Sequence, residues 1–135
     1  MLAGQTPAED YAQLCAEAPA KLVQLNAAES DKRQLDYLLT GSLADFPQQA
    51  IRSGGYVLHT LEAALWCLLR HNTYAEPVLA AVNLGDDTDT TGAVAGGLAG
   101  LYYGEAAIPE EWRSTLARRV DIEDLCARMA AVVSA

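Results

Sequence analysis

The sequence predicts an all-α fold, and three observations carry that prediction. No stretch of any length alternates apolar and polar residues with period two, as a half-buried strand would. Apolar residues instead recur at helical spacing in one segment after another. Two helix-start signatures also stand out, Thr6-Pro7-Ala8-Glu9 and Thr73-Tyr74-Ala75-Glu76, each a Thr three residues ahead of a Glu. The chain has 135 residues, 51% of them hydrophobic, so residues 1–135 form a single domain, or part of one, with a real core. About six or seven helices are expected, packed into one compact bundle.

The first helix starts with Thr6 as N-cap, Pro7 at the first helical position and Glu9 at the third. Tyr11, Leu14, Cys15, Ala18, Leu22 and Leu25 keep one face apolar to about Asn26, with Pro19 expected to kink or split the helix near Ala18. Ser30-Asp31 should cap a short helix through Leu35, Leu38 and Leu39 that Gly41 ends. Asp36 and Tyr37 read as surface and rim. Residues 44–53, with Pro47 inside, read as a loop or broken turn leading to Gly54-Gly55-Tyr56, where paired glycines permit unusual backbone angles beside an aromatic ring.

From Val57 to Arg70 the helical period is clear, with Leu58, Leu61, Leu65, Leu68 and Leu69 on the apolar face. Glu62, Trp66 and Arg70 share another face, and Glu62 with Arg70 reads as a surface network. His59 and His71, the only histidines, lie near opposite ends of this segment and cannot chelate one metal. A short helix through Val78, Leu79, Ala81, Val82 and Leu84 follows the second capping box, with Pro77 tolerated in its first turn. Beyond Gly104, Glu110 and Glu111 open a helix that Arg118-Arg119 should close, as the helix dipole prefers. Asp121 and Asp124 should cap a last helix through Leu125, Met129 and Val132. None of these acids forms a second metal cluster.

The stretch that carries chemistry is Leu84-Gly85-Asp86-Asp87-Thr88-Asp89-Thr90-Thr91-Gly92. A turn is expected at Leu84 to Asp86, then a central, buried helix from about Asp87 to Tyr103 that Gly104 closes. The first turn of a helix favours negative charge, but by only about 0.3–1 kcal/mol. That accommodates one carboxylate, whereas Asp86, Asp87 and Asp89 place three within four residues. A divalent cation would compensate them. A donor set of carboxylates and hydroxyls, without Cys or His, suits Mg²⁺, Mn²⁺ or Ca²⁺ better than zinc. Asp87, Asp89 and Thr90 could present two carboxylates and a hydroxyl to one point. An EF-hand loop counted from Asp87 matches as far as Gly92 at position 6, but position 12 is Leu98 where a bidentate Glu is needed. Gly92, Gly96, Gly100 and Gly104 recur every fourth residue, each interior one costing about 0.8–1.0 kcal/mol relative to Ala. Close approach of another helix backbone is the expected return.

Gly85-Asp86-Asp87-Thr88-Asp89-Thr90-Thr91-Gly92, together with Gly54-Gly55-Tyr56-Val57 and Leu61-Glu62-Ala63-Ala64-Leu65-Trp66, resembles the C-terminal part of the ADP-ribosylglycohydrolase family. That family includes the dinitrogenase-reductase-activating glycohydrolases and the ADP-ribosylhydrolases. The resemblance is good from Ser53 to Tyr103 and looser on either side. It implies an all-α fold, of which this chain would be the C-terminal half. It also implies hydrolysis of the glycosidic bond between ADP-ribose and a modified protein or small acceptor. A binuclear Mg²⁺ or Mn²⁺ centre is implied as well, with Asp87, Asp89 and Thr90 as ligands in the second of two acidic motifs. Tyr56 is implied to pack against the adenosine of ADP-ribose, and Asp86, standing where many relatives have Gly, to lie outside the ligand set.

The family's first acidic motif and its catalytic acid have no counterpart in this sequence, so no catalytic residue is assigned. Two function classes therefore stand: a glycohydrolase completed by a missing half or another copy, and a non-catalytic relative that binds metal, nucleotide or a partner protein. A helical interaction domain with an acidic cap and no ligand is a third. A net charge of −9 and nine scattered basic residues argue against nucleic-acid or anionic-membrane binding. Cys15, Cys67 and Cys126 read as buried, reduced thiols, and residues 1–7 lack the features of a signal peptide, which together point to the cytoplasm. Apolar surface left where the other half would dock favours oligomerisation.

Overall fold

A computed structural model describes residues 4–133, so the first three residues of the N-terminal segment lie outside the described part. Seven α-helices and three short 3₁₀ turns account for the regular structure, with no strand among the described residues. None of these helices is long and apolar enough to cross a membrane.

Helix α1 (Pro7–Gln24) begins with the expected reciprocal cap, in which Thr6 Oγ1 accepts from Glu9 N–H and the Glu9 carboxylate accepts from Thr6 N–H. It runs unbroken through Pro19. The expected split does not occur: a proline removes one backbone bond, and the rest of the ladder carries the helix past it. Only Tyr11 of α1 is buried, and its hydroxyl donates to Leu38 O at 2.8 Å. Helix α2 (Glu29–Leu35) is shorter than expected, starting one residue ahead of Ser30 without a side-chain cap, and turns occupy residues 36–40. Residues 43–45 and 48–50 form 3₁₀ turns on either side of Pro47. This broken stretch is the loop the sequence predicts.

Helix α3 (Val57–Arg70) has the predicted bounds and is the true centre of the molecule. Every residue from Glu62 to Leu68 is buried, which makes it a helix apolar almost all round. The surface role expected for Glu62 is therefore wrong: it is 2% exposed and bonded to Arg52 instead of sharing a network with Arg70. Arg70 lies over the Trp66 ring at 4.9 Å and donates to Ala44 O at 2.6 Å. Trp66 Nε1–H donates to Phe46 O at 3.0 Å, so both side chains fasten the 3₁₀ segment to α3.

Helix α4 (Ala75–Val82) opens with Thr73 Oγ1 accepting from Glu76 N–H, while the Glu76 carboxylate accepts from Asn72 N–H, one residue earlier than in an ideal box. Helix α5 (Thr88–Tyr103) packs on both α3 and α4 and buries Thr91, Gly92, Ala95 and Ala99. Its other face, with Ala93, Gly97 and Leu101, is exposed, so α5 is half-buried rather than central. The glycine stripe faces side chains of α4 and of Tyr74 just ahead of it, not the α4 backbone: a Cβ on Gly92 would lie 2.8 Å from Val82 Cγ1, and one on Gly96 would lie 3.3 Å from the Tyr74 hydroxyl. Gly104 does not join the stripe but closes the helix at φ 79°.

Gly92 and Gly97 make a paired test of that packing. Gly97→Ala meets nothing within 4 Å and should gain the helical preference of alanine, up to about 1 kcal/mol or roughly 3–4 °C in Tm. Gly92→Ala gains the same preference but must push Val82, a β-branched residue with one favoured helical rotamer. Overpacking at about 1–3 kcal/mol outweighs the gain, so Tm should fall. Equal, positive shifts in both variants would show that the α4–α5 seam is loose.

Beyond a 3₁₀ turn at residues 105–107, helix α6 (Glu110–Thr115) stops short of Arg118-Arg119. Arg118 takes φ 58° in the break and Arg119 opens helix α7 (Arg119–Val133). Arg119 then bonds both Glu110 of α6 and Glu123 of α7 at 2.7 Å, tying the two helices together instead of closing one. No residue of α7 is buried, and Leu125, Met129 and Val132 stay exposed. All three cysteines are free, but only Cys67 is fully buried, its thiol pushed up to about 12 by desolvation, and Cys126 is exposed.

Candidate metal and nucleotide site

The acidic turn is built from two left-handed residues in succession, Gly85 at φ 91° and Asp86 at φ 55°. Asp86 has the short polar side chain that tolerates this region, and the reversal aims the chain into α5. Asp87, expected as the first residue of the helix, instead stands one residue ahead of it at the N-cap position, and its carbonyl accepts from both the N–H and the hydroxyl of Thr91. Its carboxylate is held below the usual carboxylate range by the Thr90 hydroxyl first, then by the Asp89 carboxyl and the Thr90 N–H. Of the three residues singled out as ligands, Asp87 thus stands at the N-cap, with Asp89 and Thr90 beside it in the first turn of α5. Asp86 is exposed and contributes through its backbone, its carbonyl accepting from Thr88 N–H at 3.2 Å.

These donors are all oxygen, the chemistry that suits a hard divalent cation. The set is also short. No group of three or more His, Cys, Asp or Glu side chains among the described residues is arranged to hold a metal ion. Two carboxylates and a hydroxyl leave about half of a six-oxygen shell to other sources.

The turn is moulded by the segment ahead of α3. Ser53 is 3% exposed, its carbonyl accepts from Asp87 N–H at 3.2 Å, and its hydroxyl donates to Gly85 O at 3.1 Å. Gly55 presses against the carboxylate itself, since a Cβ there would lie 2.7 Å from Asp87 Oδ2. Tyr56, the expected adenosine contact, is 47% exposed and lies one residue from that contact. Its ring meets the His59 ring edge-on at 5.1 Å and its hydroxyl donates to the Gln34 side chain.

Tyr56 lines a groove of about 490 Å³ with Arg33, Tyr37, Arg52 and His59, and no carboxylate lines it. In a chain of charge −9 that is a locally basic, aromatic surface. Arg52 stacks over the Tyr37 ring at 5.2 Å, and the Tyr37 hydroxyl donates to Ala50 O. Sequence reasoning missed Arg33, Arg52, Ser53 and Glu62. The one signal was Glu62, a lone charge inside the apolar run from Leu61 to Leu69, which demands a partner once buried.

A family model described as ADP-ribosylglycohydrolase matches residues 2–135. The ADP-ribosylarginine hydrolase of Serratia proteamaculans is 33% identical over 111 residues, 82% of this chain and 27% of that protein. That of Pseudomonas putida is 47% identical over 75 residues, 56% of this chain and 20% of that protein. The ADP-ribosyl-[dinitrogen reductase] glycohydrolase of Rhodospirillum rubrum is 39% identical over 72 residues, 53% of this chain and 24% of that protein. The chain thus aligns with about a quarter of the length of these relatives.

Proposed function

The chain belongs to the ADP-ribosylglycohydrolase family, and from that premise we propose that it supplies one of two acidic motifs to a divalent-metal-dependent hydrolysis of the bond joining ADP-ribose to its acceptor. The observation that carries the reading is the placement of Asp87 at the N-cap with Asp89 and Thr90 in the first turn of α5, an all-oxygen donor set with too few protein ligands to stand alone. Asp87, Asp89 and Thr90 would hold the Mg²⁺ or Mn²⁺, one of a pair in the complete site. When bound, such a cation supplies Lewis-acid polarisation and orientation of ribose oxygens.

The rest belongs to this chain's own side chains. Tyr56 offers its exposed ring to the adenosine. The groove beside it, with Arg33, Arg52 and His59 in its lining and no carboxylate, is the less acidic flank of the site, which favours an anionic nucleotide over the acidic remainder of the surface. Ser53 and Gly55 keep Asp87 in place. No described residue pairs with the acidic turn as general acid or base, so that group and the remaining ligands come from outside these residues. The acceptor is an ADP-ribosylated protein or small molecule in the cytoplasm. An ADP-ribosylarginine linkage is the first to try, because two of the relatives carry that name.

Thermal unfolding with Mg²⁺ and ADP-ribose tests the reading. Ligand at about 100 times its Kd should add roughly 2.7 kcal/mol, several degrees for a chain of this size. Asp87→Ala and Asp89→Ala should lose the shift while unfolding normally without ligand. No shift in the unaltered chain would remove the acidic turn as a self-sufficient binding site.

A further inference from the structure

We propose that Glu62 is a positioning residue for the acidic turn, acting through the Arg52–Ser53 segment on Asp87; the functional weight of this role rests on Asp87 being a cation ligand.

Glu62 sits in the most buried part of α3, with its side chain 3% exposed. A carboxylate there costs desolvation that a leucine of similar volume would not. What it supplies in return is a fixed acceptor. Its two oxygens take the Arg52 guanidinium at 3.2 Å and the Arg52 N–H at a long 3.4 Å, holding both the side chain and the backbone of that residue. Arg52 is half-exposed, and its guanidinium also lies over the Tyr37 ring at 5.2 Å.

The next residue is where the effect is delivered. Ser53 binds the acidic turn at two points, through its carbonyl to Asp87 N–H and through its hydroxyl to Gly85 O. Those two points flank Asp86, a non-glycine residue in the left-handed region. Such a conformation persists only where its surroundings over-determine it. The turn has no helix of its own to hold it on that side, so Ser53 is the clamp and Glu62 the anchor of the clamp. The sequence Glu62, Arg52, Ser53, Asp87 is thus one mechanical chain from the core to the carboxylate.

Amide hydrogen exchange by NMR on the metal-free full chain reads this directly, with Glu62→Gln as the variant, since it keeps the size and removes the charge. The Asp87 amide should exchange about tenfold faster, the loss of roughly one net hydrogen bond in local opening. Cys67 in α3 and Ala95 in α5 should keep their protection. An unchanged Asp87 rate, or an equal rise at all three amides, overturns the proposal, the second because it describes general loosening. If Glu62→Gln does not fold, Arg52→Ala, at a half-exposed position, removes the guanidinium that Glu62 holds and is read at the same amide. Faster Asp87 exchange there supports the clamp, and an unaltered rate sinks it. Because no cation is present, failure here is separate from failure of the ligand-induced Tm shift, which tests the binding reading itself.

Discussion

Trp66→Ala should cost the fold about 3–5 kcal/mol, the range for emptying a large aromatic site in a packed core. Trp66 is 5% exposed, and it does more than fill space. Its indole N–H holds Phe46 O and its ring carries the Arg70 guanidinium, which in turn holds Ala44 O. One substitution therefore opens a cavity in the core and frees the 43–50 segment that lies over α3. Against a total stability of about 5–15 kcal/mol, that loss is a large share. Trp66→Phe keeps most of the apolar area and forfeits chiefly the bond to Phe46 O, so it should cost nearer 1 kcal/mol. Urea unfolding followed by circular dichroism, which does not depend on the deleted fluorophore, separates the two. The midpoint should move while the slope against urea stays constant. A loss below about 1 kcal/mol for Trp66→Ala would mean the 43–50 segment is fastened by something other than α3.

The contrast between α3 and α5 explains how far the sequence could be read. The bounds of α3 were legible because its apolar period is strong and Tyr56 and His71 flank it in extended backbone. Which helix was the centre was not legible, because the small residues of α5 permit burial without requiring it. Only contact with α3 and α4 decides which face is covered. The acidic turn was legible for a physical reason: like charges at that spacing need compensation whatever surrounds them. Its clamp was not, since Ser53 is polar, unremarkable in composition, and 34 positions away from the residue it holds. Glu62 stood in plain sight and was misread, because a charge at a helical position suggests a solvated face until burial is known. The end of α6 failed similarly. Arg118-Arg119 satisfies a dipole argument, but the left-handed Arg118 ends the run and gives Arg119 to the next helix.

Gly55→Ala should damage the site while sparing the fold, and this is the sharpest separation the geometry allows. Gly55 is exposed and its φ lies outside the left-handed region, so the backbone accepts alanine without strain. The new methyl, however, would lie 2.7 Å from Asp87 Oδ2 and 3.7 Å from its Cγ, far inside contact distance. Either the loop retreats, which pulls on the Ser53 clamp, or the carboxylate turns away from Thr90 and Asp89. In both cases the placement that the proposed function depends on is lost. Strain of about 1–3 kcal/mol corresponds to roughly five- to 150-fold in affinity. Titration with Mn²⁺ should therefore show weakening of at least about fivefold, with Tm in the absence of metal close to that of the parent chain. Gly54→Ala is the control one residue away, where the nearest atom to a Cβ is His59 Nδ1 at 4.0 Å. It should bind as the parent does. Equal Mn²⁺ affinity in the two alanine variants would mean that the carboxylate of Asp87 is not a ligand, and the acidic turn would then be an N-terminal cap whose charge the solvent carries.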